Sequence, residues 1–252
     1  MLDSSAFTYE PFLDNRVKSR PGFTVGTSGR LLLATRKEDG KRYLVKHTYP
    51  HNAANEYVSC WLAEKLGVPA PRAYLLSPRK AFQSRYAVAI EFIEGFTNFS
   101  KAAVPAVLQE DLIAQFAFNS LIGSDDAMQL NAAGGHIYSY DFSEAFYISD
   151  DYLYTLLRSN EAAGIDLLRR KLTSFRQHIS FQDFDIPGLA KEFHLDPDKQ
   201  KSGMIATAKK VLNITEEEIT ALSDELMEMY PAAIAVYYEE CIKAMQDWMK
   251  QF

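Results

Sequence analysis

Up to about residue 93 the apolar residues fall in short runs bounded by turn residues, and beyond it they recur mainly at helical spacing. The run Leu31-Leu32-Leu33-Ala34-Thr35 predicts a strand and Arg42 to Lys46 a second. Glu38-Asp39-Gly40-Lys41 between them predicts a hairpin turn, because Asp-Gly tolerates positive φ. From Asn55 to Gly67 the spacing turns helical, with Val58, Trp61, Leu62 and Leu66 as an apolar stripe; Gly67-Val68-Pro69 is a stop signal. A further strand is predicted from Tyr86 to Ile93. Leu108, Leu112, Phe116 and Ser120 then mark a helix, Ile137 to Tyr140 an apolar run, and Tyr152 to Phe252 an almost wholly helical stretch. Thr215 with Glu218 predicts a capping box, and Pro231 the start of the last helix. Met227, Met229, Tyr237, Tyr238, Met245 and Trp248, with Trp61 upstream, are assigned to the core. A boundary is expected near Glu94-Gly95, giving a sheet-rich unit 1–94 and a helical unit 95–252.

The chemistry-bearing residues follow that order. Asp126 stands five residues before Asn131, and ten further on Asp141-Phe142-Ser143 closes the run Ile137 to Tyr140. Phosphoryl transfer needs a carboxylate to orient the attacking hydroxyl, and amide and carboxylate oxygens to hold Mg²⁺ on the phosphates. Asp126, Asn131 and Asp141 supply those pieces. Upstream, Gly22, Gly26 and Gly29 precede the first strand, and a glycine-rich turn exposes backbone N–H groups able to cover phosphates. Lys46 shares a strand face with Leu44, which aims its ammonium from an apolar surface into a cleft. Glu56 lies near the small residues Cys60, Ala63 and Gly67 at helical spacing, so it can approach the sheet and pair with Lys46.

Asn55-Glu56-Tyr57 leading into Leu62-Ala63-Glu64-Lys65-Leu66-Gly67-Val68-Pro69, then Tyr86 to Phe92, then Phe118-Asn119-Ser120-Leu121-Ile122-Gly123-Ser124-Asp125-Asp126, resemble the HipA-like kinases. The resemblance runs from about Gly22 to Phe146. It implies a bilobal α+β protein-kinase-like fold: a small antiparallel-sheet N-lobe with one helix, and a larger helical C-lobe. It also implies ATP and Mg²⁺ as cofactors, Lys46 as the phosphate lysine, Asp126 as the catalytic aspartate, and Asn131 and Asp141 as metal ligands. Glu91, Phe92 and Ile93 would be the adenine hinge. Gly26, Ser28 and Gly29 would lie over the nucleotide, with Ser28 where family members carry an autophosphorylated serine. The expected substrate is a protein Ser or Thr, the chain itself included, and a place as the toxin of a toxin–antitoxin pair would bring an antitoxin partner. Met128 and Leu130 stand where the family commonly has His and Lys, which removes a cation from the γ-phosphate. Two alternatives stand beside the protein kinase: a small-molecule kinase, since the wider fold also phosphorylates antibiotics and metabolites, with an acidic pocket that Asp150 and Asp151 would line, and, from the loss of that His and Lys, a nucleotide-binding pseudokinase or interaction module. The short stretch before the glycine loop suits a compact member without the family's extra N-terminal subdomain.

Composition narrows the setting. At 252 residues and 47% hydrophobic the chain can bury a full core. No apolar run approaches the roughly 20 residues of a membrane helix, and Met1-Leu2-Asp3-Ser4 lacks the cationic start of a signal peptide. Cys60 and Cys241 read as buried thiols rather than a disulfide, so the expected compartment is the cytoplasm. A net charge of -6 gives no electrostatic footprint for direct nucleic-acid binding. The five histidines show no zinc-binding spacing with cysteine.

Overall fold

The architecture comes from a computed structural model, which describes residues 1–12, 31–95, 104–124, 129–148, 151–179 and 191–252. The glycine-rich segment with Gly26, Ser28 and Gly29, the residues Asp126 and Met128, and Asp150 lie outside them.

Five strands make one antiparallel sheet: β1 (Phe7–Pro11), β2 (Leu32–Arg36), β3 (Arg42–Lys46), β4 (Ala73–Leu76) and β5 (Ala87–Glu91), in the order β1-β2-β3-β5-β4. The predicted hairpin joins β2 to β3: Gly40 takes φ 72° and its N–H donates to the Arg36 carbonyl at 2.9 Å. Sequence patterning missed β1 and β4. Both are short edge strands, where alternation is weak because one side of the ladder has no neighbour to specify it.

The central strand β3 divides its side chains between two faces. Tyr43 and Val45 are buried with Phe7, Ala34, Leu76 and Ala89 on one. Leu44 and Lys46 take the other, where the register sets them opposite Ile90 and Val88 of β5. Val88 and Ile90 belong to the large core cluster that also contains the inner residues of helix α1 (Pro50–Leu66).

Helix α1 begins five residues before the expected Asn55, since Pro50 suits a first helical position where its missing N–H costs nothing. It ends as expected at Gly67, whose φ of 65° lets its N–H reach back to the Glu64 carbonyl at 3.1 Å. The helix is not amphipathic. Ala53, Val58, Leu62 and Leu66 are buried, and so are the polar Asn52, Asn55, Glu56 and Ser59, because the helix has packed neighbours on several sides.

The remainder comprises α2 (Ala106–Ile122), the hairpin β6 (Gln129–Ala133) and β7 (His136–Tyr140), then α3 (Asp151–Ser159), α4 (Glu161–His178), α5 (Pro197–Lys209), α6 (Glu216–Met227) and α7 (Ala232–Met249). Thr215 and Glu218 form the predicted capping box at α6, and Pro231 is the N-cap of α7. Asn131 therefore sits in a strand, with the turn at Gly134-Gly135 closing the hairpin. One core cluster runs from α1 and the sheet through Phe118, Phe142 and Phe146 to Ile219, Tyr238 and Met245. Of the residues assigned to the core, Met229, Tyr237, Tyr238 and Met245 are buried, and Trp61 and Trp248 pack against the cluster. Met227 instead closes α6 on its outer side, 45% exposed. Cys60 and Cys241 are free, buried thiols. Among the described residues no helix is long and apolar enough to cross a membrane.

Candidate active site

The β3 strand delivers Lys46 to the face it shares with Leu44, and α1 delivers Glu56 to the same place. The Lys46 ammonium pairs with the Glu56 carboxylate, and it donates to Asp141 Oδ1 at 2.6 Å. The Glu56 oxygen that receives Lys46 also accepts the backbone N–H of Phe142 at 2.9 Å. Two carboxylates, 10 and 95 residues along the chain from Lys46, thus meet around its ammonium. Glu56 is almost fully buried, whereas the Asp141 side chain keeps 42% exposure, so the cluster has an inner carboxylate and an outer one.

The electrostatics follow that asymmetry. Burial of the Lys46 ammonium would lower its pKa, but the Glu56 and Asp141 carboxylates beside it outweigh that and hold it above its ordinary value. The Lys46 charge holds the Asp141 carboxyl below its ordinary range against some desolvation, helped by hydrogen bonds that include the Ser143 hydroxyl at 2.9 Å. Burial pushes Glu56 upward, and Lys46 draws it back. Asp141 is therefore an ionised, partly exposed oxygen donor. It also has φ 68°, a left-handed conformation that Asp tolerates better than most residues. Such backbone positions collect at functional sites, where the surrounding structure holds them in place.

The donor set suits Mg²⁺. A hard cation takes carboxylate and amide oxygens, and a nucleotide-bound Mg²⁺ commonly uses only one or two protein groups. Asp141 follows β7 directly, and Asn131, buried on β6, pairs in register with Tyr138 on the same hairpin. Tyr138, the register partner of Asn131, stands three residues before Asp141, about 10 Å along the chain. Leu130 packs against the cluster that contains Leu112 and Ile137.

At the segment Glu91, Phe92 and Ile93 two amides are already used. The Glu91 N–H donates to the Arg72 carbonyl at 2.8 Å and the Phe92 N–H to the Arg42 carbonyl at 2.9 Å. A base bound here would be read by other groups of the segment. The Arg42 guanidinium lies 4.7 Å from the Phe92 ring centroid.

The residues that hold this arrangement have no local signature of that role in the sequence. Asn55, fully buried, donates from Nδ2 to the Ser143 carbonyl at 2.6 Å and the Ile148 carbonyl at 2.9 Å, and accepts the Tyr238 hydroxyl at 2.6 Å. Gln115 of α2, also fully buried, donates to the carbonyls of Pro69 at 2.6 Å and Ile137 at 2.8 Å and accepts the Ser139 hydroxyl at 2.6 Å. It fixes the β6–β7 hairpin against the link between α1 and β4. The available signal was polar amides inside otherwise buried helical faces, but their partners lie elsewhere in the chain.

No protein-family model matches the chain, and no curated protein matches its sequence. Among solved structures it is similar to that of a Helicobacter pylori proinflammatory kinase, CtkA, with a TM-score of 0.52 and 14% identity over 93% of this chain and 95% of that one. The chain therefore has a mixed fold, with an antiparallel sheet and many helices, similar to that of a kinase.

Proposed function

We propose that the chain is an ATP- and Mg²⁺-dependent phosphotransferase, a HipA-like protein serine/threonine kinase that also phosphorylates itself. The observation that carries this reading is the junction of Lys46, Glu56 and Asp141, which are held together across the sheet, α1 and the end of β7. In this reading the chain is bilobal, divided near Glu94-Gly95, and the nucleotide enters between the sheet and the β6–β7 hairpin. Mg²⁺-ATP supplies the transferable phosphoryl group and a cation that offsets its charge. Lys46, fixed by Glu56, holds the phosphates. Asp141, with Asn131 on the same hairpin, holds the metal. Asp126 orients the acceptor hydroxyl, and the loop with Gly26, Ser28 and Gly29 covers the phosphates. A protein acceptor and an antitoxin partner belong to the same proposal and rest on the resemblance to HipA-like kinases; a cytoplasmic setting rests on the two free thiols.

A second reading, binding of nucleotide without transfer, is favoured by one feature. Leu130 fills apolar space where the family commonly carries a lysine, so that cation is missing from the site. Incubation with Mg²⁺ and ATP labelled on its γ-phosphate, followed by mapping of the phosphate to residues, separates the readings. The proposal expects label on serine or threonine of the chain. Nucleotide binding with no transfer to protein or small molecule would favour the second reading, and label confined to a small molecule would overturn the protein-kinase assignment.

A further inference from the structure

The segment that follows Asp141 is held by its carbonyls. Asn55 binds those of Ser143 and Ile148. The Tyr237 hydroxyl donates to the Phe146 carbonyl at 2.6 Å, and the Lys171 ammonium to the Tyr147 carbonyl at 3.0 Å. Within the segment Phe146 and Tyr147 take φ of 60° and 58°, conformations that aromatic residues rarely adopt unless their surroundings fix them. From Asp141 the chain reaches α3 at Asp151. This connection is a clamped strut across the described residues 141–148.

Asn55 joins this strut to the helix carrying Glu56 at two of its carbonyls, and Glu56 itself joins it at the Phe142 N–H. The geometry at Asn55 is specific to an amide. The NH₂ group offers two donors, and both meet carbonyls; the oxygen accepts, and it meets a hydroxyl. An aspartate of the same size would set carboxylate oxygens against two carbonyls, and a leucine would satisfy none of the three groups. Because Asn55 immediately precedes Glu56, the same helical turn that anchors residues 143–148 places the Glu56 oxygen on the Phe142 N–H and against Lys46.

We propose that Asn55, backed by Tyr238, is a positioning residue that fixes the metal-binding turn to α1, so that the Lys46, Glu56 and Asp141 junction is built into the fold rather than assembled by movement of the helix. The proposal rests on the phosphotransferase reading for its effect on catalysis, while the positioning itself is independent of that reading. Groups that orient metal ligands from behind typically matter by about 10- to 100-fold in affinity or activity.

Two measurements on the full chain test it, with Asn55→Asp, Asn55→Ala and the milder Tyr238→Phe, each first checked for retained helical circular dichroism. Hydrogen exchange should show lost protection at Phe142 and the rest of 142–148 in the Asn55 variants, with the central turns of α2 unchanged, and a smaller loss in Tyr238→Phe. Calorimetry with ADP should show that the gain in affinity on adding Mg²⁺ falls by about tenfold or more, while ADP affinity without Mg²⁺ stays within about twofold of the parent. Unchanged protection of 142–148 in a folded Asn55 variant would overturn the proposal. So would lost protection accompanied by a full Mg²⁺ effect. If the parent binds no ADP at all, the phosphotransferase reading fails, and exchange at 142–148 alone decides whether Asn55 positions the turn.

Discussion

Phe142 donates its backbone N–H, at 2.9 Å, to the same Glu56 oxygen that receives the Lys46 ammonium. The Glu56 carboxylate therefore links the β3 strand to the turn that presents Asp141. Lys46→Ala and Glu56→Ala should each remove most phosphotransfer, and the double variant should be little worse than the poorer single one, because the residues act as a unit. Independent, additive losses measured as initial rates of transfer would show that the two side chains do not work together.

The charges of Lys46 and Asp141 set a pH expectation. The folded pKa of Asp141 is depressed, so its contribution is present above the ordinary 3.8 and fades only as pH falls through the lower folded value. The folded pKa of Lys46 is raised, so its contribution is present below the ordinary 10.5 and fades only above it. Neither group titrates in the neutral range. The factor by which Asp141→Asn weakens Mg²⁺-nucleotide binding should thus agree within about twofold between about pH 6 and about pH 9, by calorimetry. A factor that collapses across this window would mean that Asp141 is not held ionised by Lys46.

Gly123 closes α2 just before the segment that carries Asp126. It has φ 57°, and a Cβ there would lie 2.7 Å from Cε2 of Tyr147, within the strut that follows Asp141. Gly123→Ala should cost about 1–2 kcal/mol for the left-handed backbone alone, and more for displacing the Tyr147 ring. Chemical denaturation should show a lower midpoint, and transfer should fall because the shift reaches the metal turn. A midpoint equal to the parent's would contradict this packing.

Much of this was legible in the sequence, and the reason is local. The β2–β3 hairpin, the end of α1 and the capping box of α6 depend on neighbouring residues, so their signals survive in a single chain. The pairing of Lys46 with Glu56 was legible because a strand-borne lysine and a helix-borne glutamate among small residues can approach each other, and the structure brings Asp141 to the same ammonium. The edge strands β1 and β4 and the start of α1 were not legible, since packing against distant segments overrides local pattern there. The roles of Asn55 and Gln115 were hidden for the same reason, and of Tyr237 and Tyr238 the burial was legible but not the groups their hydroxyls meet. A buried amide looks like any polar helical residue until the carbonyl it meets, some ninety positions away for Asn55 and Ser143, is in place. Met227 went the other way: an apolar residue in a helical stretch that faces outward.

The central claim is that Asp141 serves the metal and Asp126 the chemical step, and one paired measurement tests it most directly. Nucleotide affinity with and without Mg²⁺, together with the rate of label transfer from ATP, would be compared for Asp126→Asn, Asp141→Asn and the parent. A group that acts only when the hydroxyl attacks lowers the rate without lowering affinity. Asp126→Asn should bind Mg²⁺-ATP like the parent and transfer at least about a hundredfold more slowly. Asp141→Asn should instead lose most of the Mg²⁺-dependent part of binding. Transfer by Asp126→Asn at the parent's rate, or an undiminished Mg²⁺ effect in Asp141→Asn, would contradict the account.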